Sequence, residues 1–327
     1  MKKLLTIFAT VILTIACALG VSACKNTDGG GKISVYVPDG APALSVATLN
    51  GSDDFAVHVI DAGTINAKVT GENPQADIAI VPVNAAVKLL GNGDKYQMLG
   101  TVTHGNLFLL KKQGGEDISS PADLTKLSGK TVGVINLANV PGLTFKTILN
   151  ENGLLESVNL VDVKPLQVLP TNSDCDYFVV FEPAATTKIN ATQGKLSRAG
   201  SLQTLYGGEN GYPQAVAVAK KSVIESKPAE IAKFTASFVT TKEWLLNENT
   251  TAEQIVSAID GMTDGDMDHM FTAANLTKTV IANCGIGFVP AADCKAEVIS
   301  FMQKFNAVAN NQFGSPADEF FYIPQAQ

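Results

Sequence analysis

Val35-Tyr36-Val37-Pro38-Asp39-Gly40-Ala41-Pro42-Ala43-Leu44 reads as a strand, a glycine turn and the start of a helix. Residues 33–37 are β-rich, Pro38-Asp39-Gly40 turns the chain, and residues 43–49 have helical character. Pro42 suits a first helical turn, where its missing N–H is no loss. A strand that feeds a helix through a glycine turn can offer backbone N–H groups to a small polar ligand. The same grammar of acid, buried strand, polar turn and helix recurs at Asp77-Ile78-Ala79-Ile80-Val81-Pro82-Val83-Asn84-Ala85-Ala86. It recurs again at Asp176-Tyr177-Phe178-Val179-Val180-Phe181-Glu182-Pro183-Ala184-Ala185.

Further strands are predicted at 54–60, 96–102, 107–111, 131–135, 160–163 and 213–220, with helices at 143–152 and 184–190 between them. Alternating strands and helices imply a mostly parallel α/β sheet. Ligands of such sheets sit beyond the carboxyl ends of the strands. The chain changes domain at Thr103-His104-Gly105-Asn106, so two lobes with facing strand ends are expected, with a ligand cleft between them. From 228 the pattern is helical (228–247, 252–260, 264–275, 278–283, 291–309), and these helices are expected to return to the first lobe. Trp244, spaced with Phe234 and Phe238 on one helix face, reads as core.

With 327 residues and 46% apolar content, the chain can bury one large or two medium cores. A net charge of −7 without a basic block excludes a nucleic-acid binder. Among the 24 basic residues only Arg198 is arginine, so at most one guanidinium fork is available to a carboxylate or phosphate. A general preference for Lys explains the same count.

Met1-Lys2-Lys3, an apolar run from Leu4 to Gly20 and Val21-Ser22-Ala23-Cys24 form a secretory signal ending at a cysteine. It resembles the leader of bacterial lipoproteins, in which that cysteine is lipidated, although Val21 stands where Leu is commoner. The alternative is an uncleaved anchor. Either way an extracytoplasmic location is expected, with Asn26-Thr27-Asp28-Gly29-Gly30-Gly31 as a flexible tether. The expected organisation is a signal peptide at 1–24, a tether at 25–31, lobe 1 at 32–103 and 225–327, and lobe 2 at 104–224. Cys175, Cys284 and Cys294 remain in the mature chain. A Cys284–Cys294 bridge, worth about 2–3 kcal/mol, and two buried free thiols both fit the spacing. No Cys/His spacing suits zinc. Asp264-Gly265-Asp266-Met267-Asp268-His269 starts like a calcium loop, but His269 and Asn275 break the pattern, and an acid-rich helix N-terminus is expected there. No cofactor or metal is implied.

The chain is similar to the type II periplasmic-binding-protein family of ABC importers, in the branch that takes up nitrate, sulfonates, taurine and thiamine-pyrimidine precursors. The resemblance is read over residues 32–310. Its carriers are Tyr36–Leu44, Ala76–Ala86, Asp123-Leu124, Leu127-Ser128-Gly129-Lys130-Thr131-Val132-Gly133-Val134, Pro141-Gly142-Leu143-Thr144-Phe145-Lys146 and Asp176–Ala185. The opening Pro-Asp-Gly-Ala-Pro suggests a Gram-positive lipoprotein subgroup. Carried over residue by residue, the family's ligand contacts fall on Asp39, Gly40, Ala41 and Pro42; on Val83 and Asn84; on His104 and Asn106; on Asn136, Asn139 and Val140; and on Glu182. Gly40 and Ala41 offer N–H groups, the Asn amides both donate and accept, and Asp39 and Glu182 only accept. Each also has a local role open to it: a turn for Asp39, an N-cap for Asn84, a helix cap for Glu182, a satisfied hinge position for His104.

The resemblance implies a monomeric solute receptor that closes on a small ligand by a hinge motion and hands it to an ABC permease and its ATPase. Scarce arginine and two carboxylates favour a neutral or amine-bearing heterocycle such as an aminopyrimidine. A small anion held by helix N-termini and amides is the alternative. An enzyme of the pyrimidine-synthase type on the same fold would need a histidine and cysteine-rich site, and a sensor or adhesive lipoprotein would use the fold without transport.

Overall fold

The structure is a computed structural model that describes residues 31–207 and 211–324. The signal peptide, Cys24 and all but the last residue of the tether lie outside the described residues. Eleven strands form among the described residues: β1 (Ile33–Pro38), β2 (Phe55–Ile60), β3 (Ile78–Pro82), β4 (Tyr96–Thr103), β5 (Leu107–Lys112), β6 (Thr131–Ile135), β7 (Asn159–Val163), β8 (Tyr177–Phe181), β9 (Leu196–Ser201), β10 (Ala215–Lys220) and β11 (Ile286–Pro290). They make two sheets, ordered β11-β4-β10-β3-β1-β2 and β7-β6-β8-β5-β9. Apart from the extra edge strand β11, the second sheet repeats the order of the first.

Strand direction follows from the crossings. β1, β2, β3 and β4 run one way and end at the cleft, as do β6, β7, β8 and β9 in the other lobe. A chain arriving from the opposite lobe starts at the cleft, so it must run the other way. β5, first after the outgoing crossing, is antiparallel to β8 and β9, and β10, first after the return, is antiparallel to β3 and β4.

The acids that open the two sequence echoes do the same work in each lobe. Asp77 Oδ2 accepts from the Ser34 N–H (3.1 Å) at the start of β1, and Asp176 Oδ2 accepts from the Thr131 N–H (2.8 Å) at the start of β6. Each closes the open end of a parallel pair, where a backbone donor would otherwise lack a partner.

Alternation along the strands divides the core. Ile78 and Ile80 enter one cluster with Phe234, Phe238 and Ile255, while Ala79 and Val81 enter the other with Met98, Val298 and Phe301. Trp244 packs against the first of these as a half-buried core residue. Phe301, on the helix Ala291–Val308, also meets Tyr206 (5.7 Å between ring centroids) and Tyr212 (6.0 Å), and Lys304 pairs with Glu151 (2.9 Å), so this helix joins the lobes.

Several expectations change. The return to the first sheet precedes Ala215, because β10 bonds to β3 and β4, so the stretch from 215 to 224 belongs to lobe 1 rather than lobe 2. Cys284 and Cys294 are free and buried, as is Cys175. Cys284 packs in the Phe238 cluster and Cys294 in the Phe301 cluster, so β11, formed by the residues between them, carries the two thiols into separate cores. Residues 264–275 form no helix, because side chains from β2 and the turn after β1 hold this segment as a loop. The helix after β3 begins at Val83, so Asn84 lies inside its first turn rather than capping it.

Gly105 adopts φ +80°, and a Cβ placed there would lie 2.4 Å from Cζ of the Tyr212 ring. Gly105→Ala is expected to lower unfolding free energy by about 2–4 kcal/mol, through left-handed strain and overpacking together. Urea denaturation of the variant against the parent measures it.

Candidate ligand site

Strand register aligns the candidate residues of lobe 1. Val35 pairs with Ile78 and Tyr36 with Ala79, so β1 and β3 run side by side into the turn that holds Gly40 and the helix that begins at Val83. Ala215 pairs with both Pro82 and Thr103, which sets Gln214 level with Val83 and His104, and Ile286 opposite Thr103 sets Gly285 beside His104. Val83, Gln214, His104 and Gly285 therefore form one row across the top of the sheet. Backbone bonds continue it: the Val83 N–H donates to Gln214 O (3.0 Å), the Gln214 N–H to Thr103 O (2.9 Å) and the His104 N–H to Gly285 O (2.9 Å).

Lobe 2 meets this row at Asn106 and Glu182. The Glu182 N–H donates to Asn106 O (3.0 Å), and Asn106 Oδ1 accepts from Gln214 Nε2 (3.0 Å), tying the two crossings together. Glu182 is fully buried. Its carboxylate pairs with Arg198 and accepts from Thr186 Oγ1 (2.8 Å), Thr186 N (3.1 Å) and Asn283 Nδ2 (3.0 Å). Arg198 also lies 4.3 Å from the centroid of the Phe108 ring. The single guanidinium thus offsets the cost of burying a carboxylate. The bond to Thr186 N realises the helix-capping role, and the bond from Asn283 reaches back to lobe 1.

Asp39 is likewise engaged inside the chain. Its Oδ1 accepts from His269 Nδ1 (2.9 Å) and its Oδ2 from the Met270 N–H (2.8 Å). It binds a distant loop rather than closing its own turn. Gly40 takes φ +106° at the start of the four-residue helix Ala41–Leu44, with Pro42 in its first turn. Asn136 (φ +59°) and Asn139 stand exposed at the end of β6, and Val140 opens the helix Val140–Glu151. These three are not linked to the Asn106–Glu182–Gln214 network.

At these strand ends the side-chain oxygens Asn84 Oδ1, Gln214 Oε1 and Thr103 Oγ1 are buried without a hydrogen-bond partner, as is Arg198 Nε beside Glu182. Gln214, Asn283, Arg198, His269 and Met270 belong to the site or its supports and were not among the sequence candidates. The lone arginine was the one available signal. A cavity of about 810 Å³ opens beside one end of the row, sharing His104 and Gly285 with it, between the helices Pro228–Leu246 and Lys278–Asn283 and β11. His104, Phe238, Lys242, Ile281 and Phe288 line it, all from lobe 1 and the first crossing. The strand-end row, which both lobes meet, is the stronger ligand site because closure can act on it.

Residues 52–252 match the family model described as NMT1/THI5 like. The chain belongs to the NMT1/THI5-like family. That match is shorter than the span 32–310 of the sequence resemblance and begins after the Asp39–Pro42 turn. The fold of this NMT1/THI5-like chain is similar to an ABC transporter structure from Parabacteroides distasonis (18% identity, TM-score 0.69, covering 90% of this chain and 99% of that one). It is also similar to the periplasmic aliphatic sulphonate binding protein SsuA from Escherichia coli (13%, 0.63, 90% and 93%). A ligand binding component of an ABC-type import system from Staphylococcus aureus, solved with zinc bound, shares the fold as well (11%, 0.56, 89% and 96%). No protein of curated function matches. The architecture is the two-lobed type II periplasmic-binding-protein fold, and at these identities the likeness is one of fold. Among the described residues no cluster of three or more His, Cys, Asp or Glu could hold a metal ion.

His104 is buried, with Nε2 2.9 Å from Thr101 Oγ1, and burial pulls its pKa down from 6.5 to about 4. The Lys242 charge pushes the same way, and a bond to the Gly285 backbone opposes both. The unfolded chain therefore binds this proton at higher pH than the folded one, so stability falls as pH drops from about 6.5 to about 4. His104→Gln should flatten that part of the stability–pH curve relative to the parent, as read by urea unfolding at a series of pH values.

Proposed function

We propose that this chain is the solute-binding component of an ABC importer, and that it captures a neutral or amine-bearing heterocycle such as an aminopyrimidine between its lobes. It binds without transforming its ligand, works as a monomer, and passes the ligand to a permease served by an ATPase. Family membership and the two-lobed fold support the receptor class. One observation carries the ligand class: the chain's single arginine is paired with Glu182, while the unpartnered side-chain oxygens at the strand ends, Asn84 Oδ1, Gln214 Oε1 and Thr103 Oγ1, belong to two neutral amides and a hydroxyl. Such amides suit a ligand that presents N–H donors. Arg198, the one guanidinium, has its Nη2 on Glu182 and Thr186 and its charge matched by that carboxylate, which leaves a sulfonate no uncompensated cation at the site. Lobe closure lets residues of both lobes contribute to affinity, and the bonds among Asn106, Gln214 and Glu182 lie where the two chain crossings bend.

A thermal-shift series tests the ligand class. 4-Amino-2-methylpyrimidine and its 5-substituted derivatives are expected to raise the unfolding midpoint, with about 2.7 kcal/mol of stabilisation at a hundred times the dissociation constant. Methane- to pentanesulfonate should leave it unchanged. Asn84→Ala should weaken aminopyrimidine binding about tenfold in calorimetry, the loss of one buried hydrogen bond. Stabilisation by the sulfonates alone would overturn this ligand class and leave the receptor class standing.

The leader supports an extracytoplasmic, lipid-anchored location on the outer face of the cell membrane, of the Gram-positive type, with Cys24 as the lipidated residue. Among the described residues no helix is long and apolar enough to cross a membrane. Cys24→Ala should move the protein from the detergent phase to the aqueous phase in a partition of whole-cell extract. Retention in the detergent phase would point to an uncleaved anchor instead.

A further inference from the structure

The loop of residues 261–277 runs past the ends of β1 and β2 and is tied to both. The Val59 N–H donates to Met262 O (2.8 Å), and the Asp264 N–H donates to Val59 O (3.2 Å). His58 Nδ1 donates to Asp264 Oδ1 (2.9 Å), and His269 Nδ1 to Asp39 Oδ1 (2.9 Å). His269 Nε2 lies 3.1 Å from Thr263 Oγ1, and Asn275 Nδ2 donates to Met270 O (3.2 Å). Phe271 is buried in the core of lobe 1. The residues on either side of Met270 are therefore fixed, its own N–H is held by Asp39, and its carbonyl is held by Asn275.

Against that fixation, the Met270 side chain is 37% exposed, one of the few large apolar side chains left open to solvent. It is not pointed away from the molecule. A Cβ on Gly40 would lie 3.4 Å from Met270 Sδ and 3.6 Å from Cε, so the thioether rests directly over the Gly40 backbone. Gly40 follows β1, and Asn84, with its unpartnered oxygen, follows β3, the strand paired with β1. An apolar, polarisable group and a polar one thus lie beyond the ends of neighbouring strands. A planar heterocycle asks for this pairing: hydrogen bonds in its plane and apolar contact on its face or edge. A methionine sulfur serves the second need well, since thioethers make favourable contacts with aromatic rings and adapt to their shape.

We infer that Met270 is a ligand-contacting, specificity-determining residue that covers the β1 end of the cleft and selects a ring over an aliphatic ligand. Asp39 is a positioning residue that acts through it. The carboxylate does not meet the ligand. It sets where the thioether lies by holding His269 and the Met270 backbone. This rests on the reading that the ligand site lies at the strand ends.

Calorimetry with 4-amino-2-methylpyrimidine on the full mature chain tests it, together with unfolding midpoints without ligand. Met270→Ala should weaken binding about tenfold and leave the ligand-free midpoint unchanged, because an exposed side chain contributes little to folding. Met270→Leu should keep binding within about threefold of the parent. Asp39→Asn should also weaken binding, and the double variant Asp39→Asn with Met270→Ala should be no weaker than Met270→Ala alone, a result that a purely structural Asp39 would not produce. Equal affinity of the parent and Met270→Ala overturns the inference while the receptor reading stands. Additive losses in the double variant overturn the role of Asp39. A parent chain that binds only alkanesulfonates, or none of the tested solutes, removes the ring contact together with the proposed ligand class.

Discussion

Where the chain first leaves lobe 1, three segments share a space too small for one methyl group. A Cβ on Gly105 would strike the Tyr212 ring of the returning segment, and a Cβ on Gly285 would come within 2.5 Å of Gly105 O. This close approach keeps the two crossings and the start of β11 at one level. The row from Val83 to Gly285 depends on it, because a displaced crossing would move Gln214 and His104 away from the strand ends they extend. The same arrangement makes the hinge and the candidate site one set of residues. Asn106 O receives the Glu182 N–H and Gln214 O receives the Val83 N–H, so each crossing segment completes the cleft end of the sheet it enters.

Charge at this level is arranged by cost. A carboxylate buried without a partner is far more costly than a buried amide. Glu182 is fully buried and takes the only guanidinium together with Thr186 and Asn283. Asp39 takes an imidazole and a backbone N–H. With both carboxylates satisfied within the fold, the polar atoms left without partners at this level are the neutral oxygens of Asn84, Gln214 and Thr103 and the Nε of Arg198, groups that can stay unpartnered at a smaller cost than a carboxylate.

Much of the fold was legible because each strand of the two parallel sets carries a compact apolar run bounded by an acid or a turn. β6 was read to its boundaries, and β3 and β8 to within two residues, since their flanking acids and following turns mark both ends. β9 and β11 were missed. Leu196–Ser201 mixes one arginine and two serines into a short edge strand, and Ile286–Pro290 follows a glycine and contains another, which reads as loop. The expected helix at 264–275 failed for a tertiary reason. His58 and Asp39, distant in sequence, each hold one residue of that segment by its side chain and override its local preference. The turns after β1, β3 and β8 were legible from strand grammar, and the resemblance named the candidate residues on them, whereas the partners of Asp39 and Glu182 come from residues 230 and 16 positions away and leave no local signal.

The repeated strand order separates what folding requires from what the site requires. Asp77 and Asp176 occupy matching positions and make the same bond to the start of a neighbouring strand, as two sheets of one design would need. Beyond the following strands the copies part. β3 runs through Val83 to Asn84, whose amide oxygen has no partner, and β8 runs to Glu182, whose carboxylate is fully engaged and reaches Asn283 in the other lobe. One copy presents an open polar group and the other a bond between lobes. The difference falls in the turn between strand and helix, where Val83-Asn84 stands in one copy and Glu182-Pro183 in the other, before both resume with Ala-Ala.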